Sequence, residues 1–126
     1  MTRFGSGAPW EDRYGYSRAV VAGPALFVAG TTATVDGEVV GTGDPYLQAV
    51  TAFGIALAAV AAAGFEPGDV VRTRMFVADI GHQEEIGRAH KEIFDDIRPA
   101  ATMVQVSGFA HPDHLIEVEI DAYRRP

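Results

Sequence analysis

The chain has 126 residues, of which 48% are hydrophobic. This length and composition predict one domain, spanning residues 1–126, with a single hydrophobic core, and they exclude a disordered chain. The net charge of −7 argues against a nucleic-acid partner, because such partners need a basic surface. Cysteine is absent, which excludes disulfides, thiolate nucleophiles and cysteine-based zinc sites.

Residues 1–13 are rich in glycine, proline and polar residues, which is typical of a loose arm. The tryptophan of this arm, Trp10, is expected to anchor the arm by packing or to cover a pocket. The arm lacks the apolar stretch of a signal peptide. The alanine-rich stretch Ala49–Ala63 falls short of a membrane span, which needs about 20 strongly apolar residues. We therefore expect a soluble, cytoplasmic protein with no membrane partner.

Two hairpins are predicted in the first third of the chain. Two β-rich segments, Tyr14–Ala22 and Ala25–Thr31, flank a Gly-Pro turn at 23–24, and an Asp-Gly turn follows at 36–37. Gly30 lies where its strand ends, which suits a β-bulge or a close approach of another group to the backbone. The side chains that would share one face of the first strand are Tyr16, Arg18 and Val20.

Two helices and a strand are predicted in the middle of the chain. The first helix begins at Asp44-Pro45, with aspartate as the N-cap, and ends at Gly64. Its many alanines favour close packing on a sheet. A strand over Asp69–Asp79 follows, and the second helix runs from about Gly81 to Asp96 before Pro99 stops it. His90 lies at the edge of the apolar stripe of this second helix.

The last third, Arg98–Tyr123, contains two apolar-alternating segments around a turn of Gly, Pro, His and Asp, which predict a β-hairpin. Side chains alternate along a strand, so one face of the final segment is core and the other is acidic. The core positions are Ile116, Val118, Ile120 and Ala122. The acidic positions are Glu117, Glu119 and Asp121.

The element order β-β-(β)-α-β-α-β-β predicts an α+β fold, a mixed sheet with two helices that cover one face. The uncovered face would carry Arg72 and Arg74 on one strand, opposite the three carboxylates, with Arg18 near them. Opposite charges on neighbouring strands stabilise a sheet by a few tenths to about 1 kcal/mol per pair. Two interpretations stay open: a solvated, charge-balanced face, or a face buried against another subunit.

Six short segments occur in a distinctive order along nearly the whole chain. They are Gly15-Tyr16-Ser17-Arg18-Ala19-Val20, Phe27-Val28-Ala29-Gly30, Asp69-Val70-Val71-Arg72-Thr73, Val77-Ala78-Asp79-Ile80, Pro99-Ala100 and Ile116-Glu117-Val118-Glu119. In these segments the chain resembles the Rid family of reactive intermediate deaminases, also called YjgF proteins and historically endoribonuclease L-PSP. The resemblance implies a chorismate-mutase-like subunit. It also implies a homotrimer with a central β-barrel and three clefts at the subunit interfaces.

The resemblance further implies hydrolysis of enamines and imines that pyridoxal-phosphate enzymes produce, releasing ammonia and a 2-oxo acid without a cofactor. In the family a glutamate positions the attacking water, helped by a tyrosine and a serine, and an arginine holds the substrate carboxylate. The glutamate matches Glu117 and the tyrosine matches Tyr16. The serine position is Ala29 and the arginine position is Ala101. Alanine cannot replace a bidentate arginine clamp, so the usual 2-iminopropanoate type of substrate is disfavoured.

Three arginines are candidates to replace the missing one, each with a structural alternative. Arg98 could cap the carbonyl groups at a helix end instead. Arg74 could pair with a strand carboxylate, and Glu117 could be the partner of such an arginine. The third is Arg18, which follows Tyr16 by two residues.

Aromatic, polar and apolar side chains complete the predicted pocket. Tyr16, Met103 and Thr31 would shape it, and Trp10 could cover it. His90 is an acid/base candidate, because its unperturbed pKa is near 6.5. Its structural alternative is a surface or core-edge position.

Other chemistries find less support in the sequence. His111 and His114 have a spacing that could ligate a metal but lack a third ligand, so a solvated loop is preferred and no metal is expected. The first hypothesis is a hydrolase of a small imine or enamine, in which Glu117 activates water as general base and Arg74 or Arg98 holds an anionic group. The alternative is a non-catalytic module that binds a small metabolite or a partner protein at the same cleft. A scaffold or holdase-like protein without a small ligand is the third possibility.

Overall fold

The computed structural model describes residues 1–124. Their helices and strands, in chain order, are β1 (Thr2–Phe4), α1 (Pro9–Tyr14), β2 (Ala19–Ala22), β3 (Ala25–Thr32), β4 (Thr34–Val35), β5 (Glu38–Val39), α2 (Pro45–Ala62), β6 (Val70–Val77), α3 (Gln83–Phe94), β7 (Ala100–Gln105) and β8 (Ile116–Tyr123). Six strands form one sheet in the order β1-β2-β3-β8-β6-β7, and β4 and β5 form a separate small hairpin. The predicted α+β fold with a mixed sheet is confirmed.

The core lies between one face of the sheet and the two long helices. α2 packs on β3 and β8, and α3 packs beside α2. Alternation along β8 buries Ile116, Val118 and Ile120 completely, as predicted, and leaves its carboxylates on the other face. Small residues of α2, including Ala49, Ala52 and Ala56, are fully buried, which lets the helix approach the sheet closely. Within residues 1–124, neither α2 nor α3 covers the opposite face of the sheet, which is called the helix-free face below.

The start of α2 follows from its sequence. Asp44 accepts a hydrogen bond from the backbone N–H of Leu47, 3.0 Å away, and Pro45 occupies the first turn. Within residues 1–124, α2 is the one helix long and apolar enough to cross a membrane by length and composition. Its burial against the sheet and α3 is that of a core helix.

The loose N-terminal arm was a wrong prediction. β1 pairs antiparallel with β2, and α1 occupies much of the remainder. The Ser6 backbone N–H donates to the buried Glu11 carboxylate at 3.1 Å, which ties the arm to α1. Gly15 then takes a left-handed conformation, φ 78°, so the following strand begins only at Ala19 and not at Tyr14 as expected.

The C-terminal hairpin was also a wrong prediction. β6 lies between β7 and β8, and it pairs parallel with β7 and antiparallel with β8. The reason is that α3 connects β6 to β7 as a crossover, which brings β7 to the outer edge of β6 in the parallel direction. Apolar alternation is the same in a hairpin and in this arrangement, so the sequence pattern could not separate the two. The hairpins formed by β2 and β3 and by β4 and β5 are confirmed.

Candidate functional site

Glu117 lies near the start of β8 on the helix-free face. Its register partners are Thr32 on β3 and Phe76 on β6, so it is flanked by a strand on each side. The side chain is half-buried, and this burial is the main reason why its pKa is raised above the ordinary value. The negative charge of Glu119 raises the pKa further, and the positive charge of Arg18 opposes the shift. The carboxylate is therefore a stronger base than an exposed glutamate.

The carboxylate of Glu117 occupies the space above Gly30 on the neighbouring strand. A Cβ atom at position 30 would overlap Glu117 Oε2 and would lie 3.0 Å from its Cδ. The pairing of β3 with β8 shifts register between Val28 and Thr31, so the backbone is irregular at this point. Of the two predicted alternatives at Gly30, the close approach is confirmed, and it coincides with the shift in register.

Arg18 extends to the same place from the segment before β2. Its Nη2 donates to the Gly30 carbonyl oxygen at 2.6 Å, and its Cζ lies 5.9 Å from the centre of the Tyr16 ring. Arg18 Nε is buried and has no hydrogen-bond partner within residues 1–124. Tyr16 remains 41% exposed. Gly30 therefore brings Glu117 and Arg18 together, with Tyr16 beside the guanidinium.

Arg74 is paired with strand carboxylates on the helix-free face. Its Nη1 lies 3.1 Å from Asp121 Oδ2 and 3.6 Å from Glu119 Oε1. These groups line a concavity of about 390 Å³ together with Ser17, Phe27 and Ala29. The predicted proximity of the arginine strand and the carboxylate strand is confirmed by the pairing of β6 with β8. The positive charge of Arg74 is largely neutralised by these two partners.

Arg98 ends α3 rather than facing Glu117. Its backbone N–H donates to the Phe94 carbonyl oxygen, and its guanidinium contacts the Asp95 backbone carbonyl and carboxylate at 2.7 Å each. Arg98 precedes the start of β7, whereas Val104, near the end of β7, stands at the level of Glu117. Within one chain, Arg98 therefore contacts the end of a helix, which is the structural alternative given for it in the sequence analysis.

His90 lies on α3 beneath the opposite face of the sheet. Its Nε2 is 2.8 Å from the hydroxyl of the buried Thr73, and its ring contacts Phe53 and Phe94. Burial lowers the pKa of His90 below its ordinary value. Together with Phe94, Arg98 and Pro99 it lines a second concavity of about 230 Å³.

Ala101 and Met103 lie on the helix-covered side of β7. Ala101 is the register partner of the buried Thr73, and Met103 is the partner of the buried Met75. Register partners point to the same side of a sheet. The position where the resemblance places an arginine therefore lies across the sheet from Glu117 in one chain.

Two other predicted pocket residues lie away from Glu117. Thr31 is buried on the core side, where its hydroxyl donates to the Ala29 carbonyl oxygen. Trp10 stacks on Tyr14 with ring centres 5.6 Å apart, and Arg13 lies over both rings. Neither side chain is brought to the Glu117 carboxylate.

Sequence reasoning missed a polar series next to Glu117. Thr32, the cross-strand partner of Glu117, shares a hydrogen bond of 2.9 Å with Thr34, and Thr34 Oγ1 lies 2.9 Å from His114 Nε2. The alternating threonines at 32 and 34 were the available signal. Residues 1–124 contain no cluster of three or more side chains suited to a metal ion, and His114 is engaged by Thr34 instead.

Comparison with known proteins identifies relatives over almost the whole chain. Residues 8–124 match the family model described as Endoribonuclease L-PSP. SCO2049 of Streptomyces coelicolor, described as uncharacterized, is 46% identical over 98% of this chain and 92% of its own.

Solved structures agree with this match. Rv2704 of Mycobacterium tuberculosis, a member of the YjgF/YER057c/UK114 family, superimposes with a TM-score of 0.88 at 41% identity, covering 97% of this chain and 98% of its own. Escherichia coli TdcF with bound serine gives 0.82 at 26% identity, covering 98% and 94%. The chain therefore belongs to the YjgF/Rid family, whose model carries the description Endoribonuclease L-PSP.

Proposed function

We propose that this chain is a hydrolase of a small, anionic imine or enamine, acting at clefts between the protomers of a homotrimer. The observation that carries the proposal is the half-buried Glu117 carboxylate, whose raised pKa and position beside Arg18 suit a general base. Membership of the YjgF/Rid family supports the same reaction class.

In the proposed reaction Glu117 accepts a proton from water as the water oxygen bonds to the imine carbon. The π electron pair of the C=N bond moves to nitrogen, which takes up the proton that Glu117 has just accepted, and a carbinolamine forms. Glu117 then accepts the proton of the new hydroxyl group and passes it to the nitrogen. The C–N bond breaks with its electron pair on the departing ammonia, and the electron pair of the former O–H bond completes the carbonyl group.

Arg18 is the favoured binding group for the anionic end of the substrate. It is the arginine next to Glu117, whereas Arg74 is paired with two carboxylates and Arg98 is held by Asp95. The serine bound to TdcF supports a ligand of amino-acid size with a carboxylate. Because Arg18 approaches from a different wall than an arginine at Ala101 would, the substrate geometry should differ from the usual one.

A cleft between protomers is supported by the distribution of the candidate residues. Glu117, Arg18 and Tyr16 lie on or beside the helix-free face, and Ala101, Met103 and His90 belong to the other side. One chain alone leaves these groups apart, and a second chain can bring one set against the other. β7 is also an uncharged edge strand, a surface that proteins normally cover.

The test is release of ammonia and 2-oxo acid from freshly generated imines of several amino acids. Wild type and Glu117→Gln are compared, with Glu119→Gln as the matched control, since Glu119 pairs with Arg74. We expect Glu117→Gln to lose roughly 10²–10⁴-fold in turnover and Glu119→Gln to retain most of it. A folded wild type without turnover on any imine contradicts the hydrolase. Ligand-dependent thermal shifts in that protein would favour the binding module.

A further inference from the structure

On β3, the Glu117 carboxylate fills the space that a side chain at Gly30 would occupy. A Cβ there would overlap Oε2, lie 3.0 Å from Cδ and lie 3.4 Å from Cγ of Glu117. Gly30 does not belong to the glycines with positive φ, so its backbone conformation is open to alanine. Glycine is therefore required here for the space that it leaves free and not for backbone freedom.

The backbone of Gly30 has a second role in the same place. Register with β8 is interrupted between Val28 and Thr31, and the Gly30 carbonyl oxygen accepts a hydrogen bond from Arg18 Nη2. Gly30 thus fixes the positions of two groups. The Glu117 carboxylate lies above its peptide, and the Arg18 guanidinium binds its carbonyl oxygen. A displaced Glu117 carboxylate would be more exposed to solvent and would no longer lie beside the Arg18 guanidinium.

We propose that Gly30 is a positioning residue that holds the Glu117 carboxylate in its reactive place by having no side chain. The inference rests on the proposed function of Glu117 as the general base. The atoms that a methyl group would meet belong to the far end of a flexible side chain. Gly30→Ala should therefore fold, with the glutamate moved aside towards solvent.

The first experiment measures the Glu117 carboxyl pKa directly, by carbon NMR of glutamate-labelled protein, with Glu117→Gln used to assign the resonance. In Gly30→Ala we expect this pKa to fall towards the ordinary glutamate value, since burial is the main cause of its elevation. Gly54→Ala is the matched control, because a Cβ at Gly54 meets no atom within 4 Å. An unchanged Glu117 pKa in Gly30→Ala overturns the proposal.

The second experiment measures turnover on the best imine substrate. A misplacement of about 1 Å can cost about 10²-fold in rate, so we expect Gly30→Ala to lose on that order in kcat. In the Glu117→Gln background the same change should cost little, because the two residues act as one unit. Full additivity of the two losses contradicts a role exercised through Glu117.

A third comparison covers the case in which Gly30→Ala folds poorly. If the collision with Glu117 is the cause, Gly30→Ala should lower the Tm in wild type and leave it unchanged in Glu117→Ala. Equal loss in both backgrounds overturns the proposal. If wild type lacks imine turnover, the proposed function fails, while the pKa and Tm measurements still decide whether Gly30 positions the carboxylate.

Discussion

The Thr73 hydroxyl and His90 Nε2 are 2.8 Å apart and join the central sheet to α3. The histidine ring is half-buried and packs against Phe53 and Phe94. Burial penalises the charged imidazolium and lowers the pKa of His90 from 6.5 in the folded protein. This contact is therefore a structural link whose strength depends on pH.

The His90 contact predicts that the protein loses stability as the pH falls below about 6.5. As the pH falls, His90 takes up a proton in the unfolded chain at a higher pH than in the folded chain. The contribution of His90 to stability is therefore fully present above pH 6.5 and is lost as the pH falls towards the pKa of the folded state. Urea unfolding at pH 7.5 and 5.5, at fixed protein concentration, should show a smaller decline for His90→Gln than for wild type. His114, whose pKa is also lowered by burial, contributes in the same direction. An unchanged decline in His90→Gln would contradict the prediction.

Glu117→Gln should raise the Tm at pH 7. The folded pKa of Glu117 lies above its ordinary value of 4.5, so its contribution to stability is present below 4.5 and is lost as the pH rises. At neutral pH the half-buried charge destabilises the fold, and glutamine removes it. The gain should disappear near pH 4. Glu119→Gln, which gives up the contact with Arg74, should show no gain at either pH.

The arrangement around Glu117 could be predicted from the sequence only in part. The acidic face of β8 and the close approach at Gly30 follow from local alternation and from a glycine at a strand end. The hydrogen bond from Arg18 to the Gly30 carbonyl depends on how the segment after α1 meets β3. That contact is tertiary, and no local pattern encodes it.

The position of β7 shows the same limit at the level of the fold. Alternation identified β7 and β8 as strands but not their neighbours, because pairing partners are chosen by the whole sheet. The crossover through α3 decides that β6 is inserted between them. The sequence analysis favoured Arg74 or Arg98 as the arginine that holds the substrate, and only the three-dimensional contacts of the three arginines point to Arg18 instead.

Gln48→Leu should destabilise the protein by roughly 2–4 kcal/mol, because buried backbone groups lose their partners. Gln48 is fully buried. Its Nε2 donates to the carbonyl oxygens of Gly41 and Asp113, and its Oε1 accepts from the Leu115 N–H. Urea unfolding measures the loss. Gln105→Leu, which removes an exposed contact to the Ile80 N–H, is the control and should cost less than about 1 kcal/mol.

The proposed homotrimer predicts that an added, unpaired carboxylate at Val104, on the helix-free face, prevents assembly. Val104 on β7 is 43% exposed in the single chain and pairs with Phe76, at the level of Glu117. Val104→Asp would bury an unpaired carboxylate in an interface, which is strongly unfavourable. Light scattering after size exclusion should then give the mass of a monomer in place of a trimer.

The matched control for this change is Val35→Asp. Val35 is similarly exposed, at 45%, but lies on the separate β4–β5 hairpin, so this variant should remain trimeric. A trimeric Val104→Asp would mean that the helix-free face at β7 is solvated. The contact between protomers would then lie elsewhere, and a cleft that sets β7 at the level of Glu117 against a neighbouring protomer would be refuted.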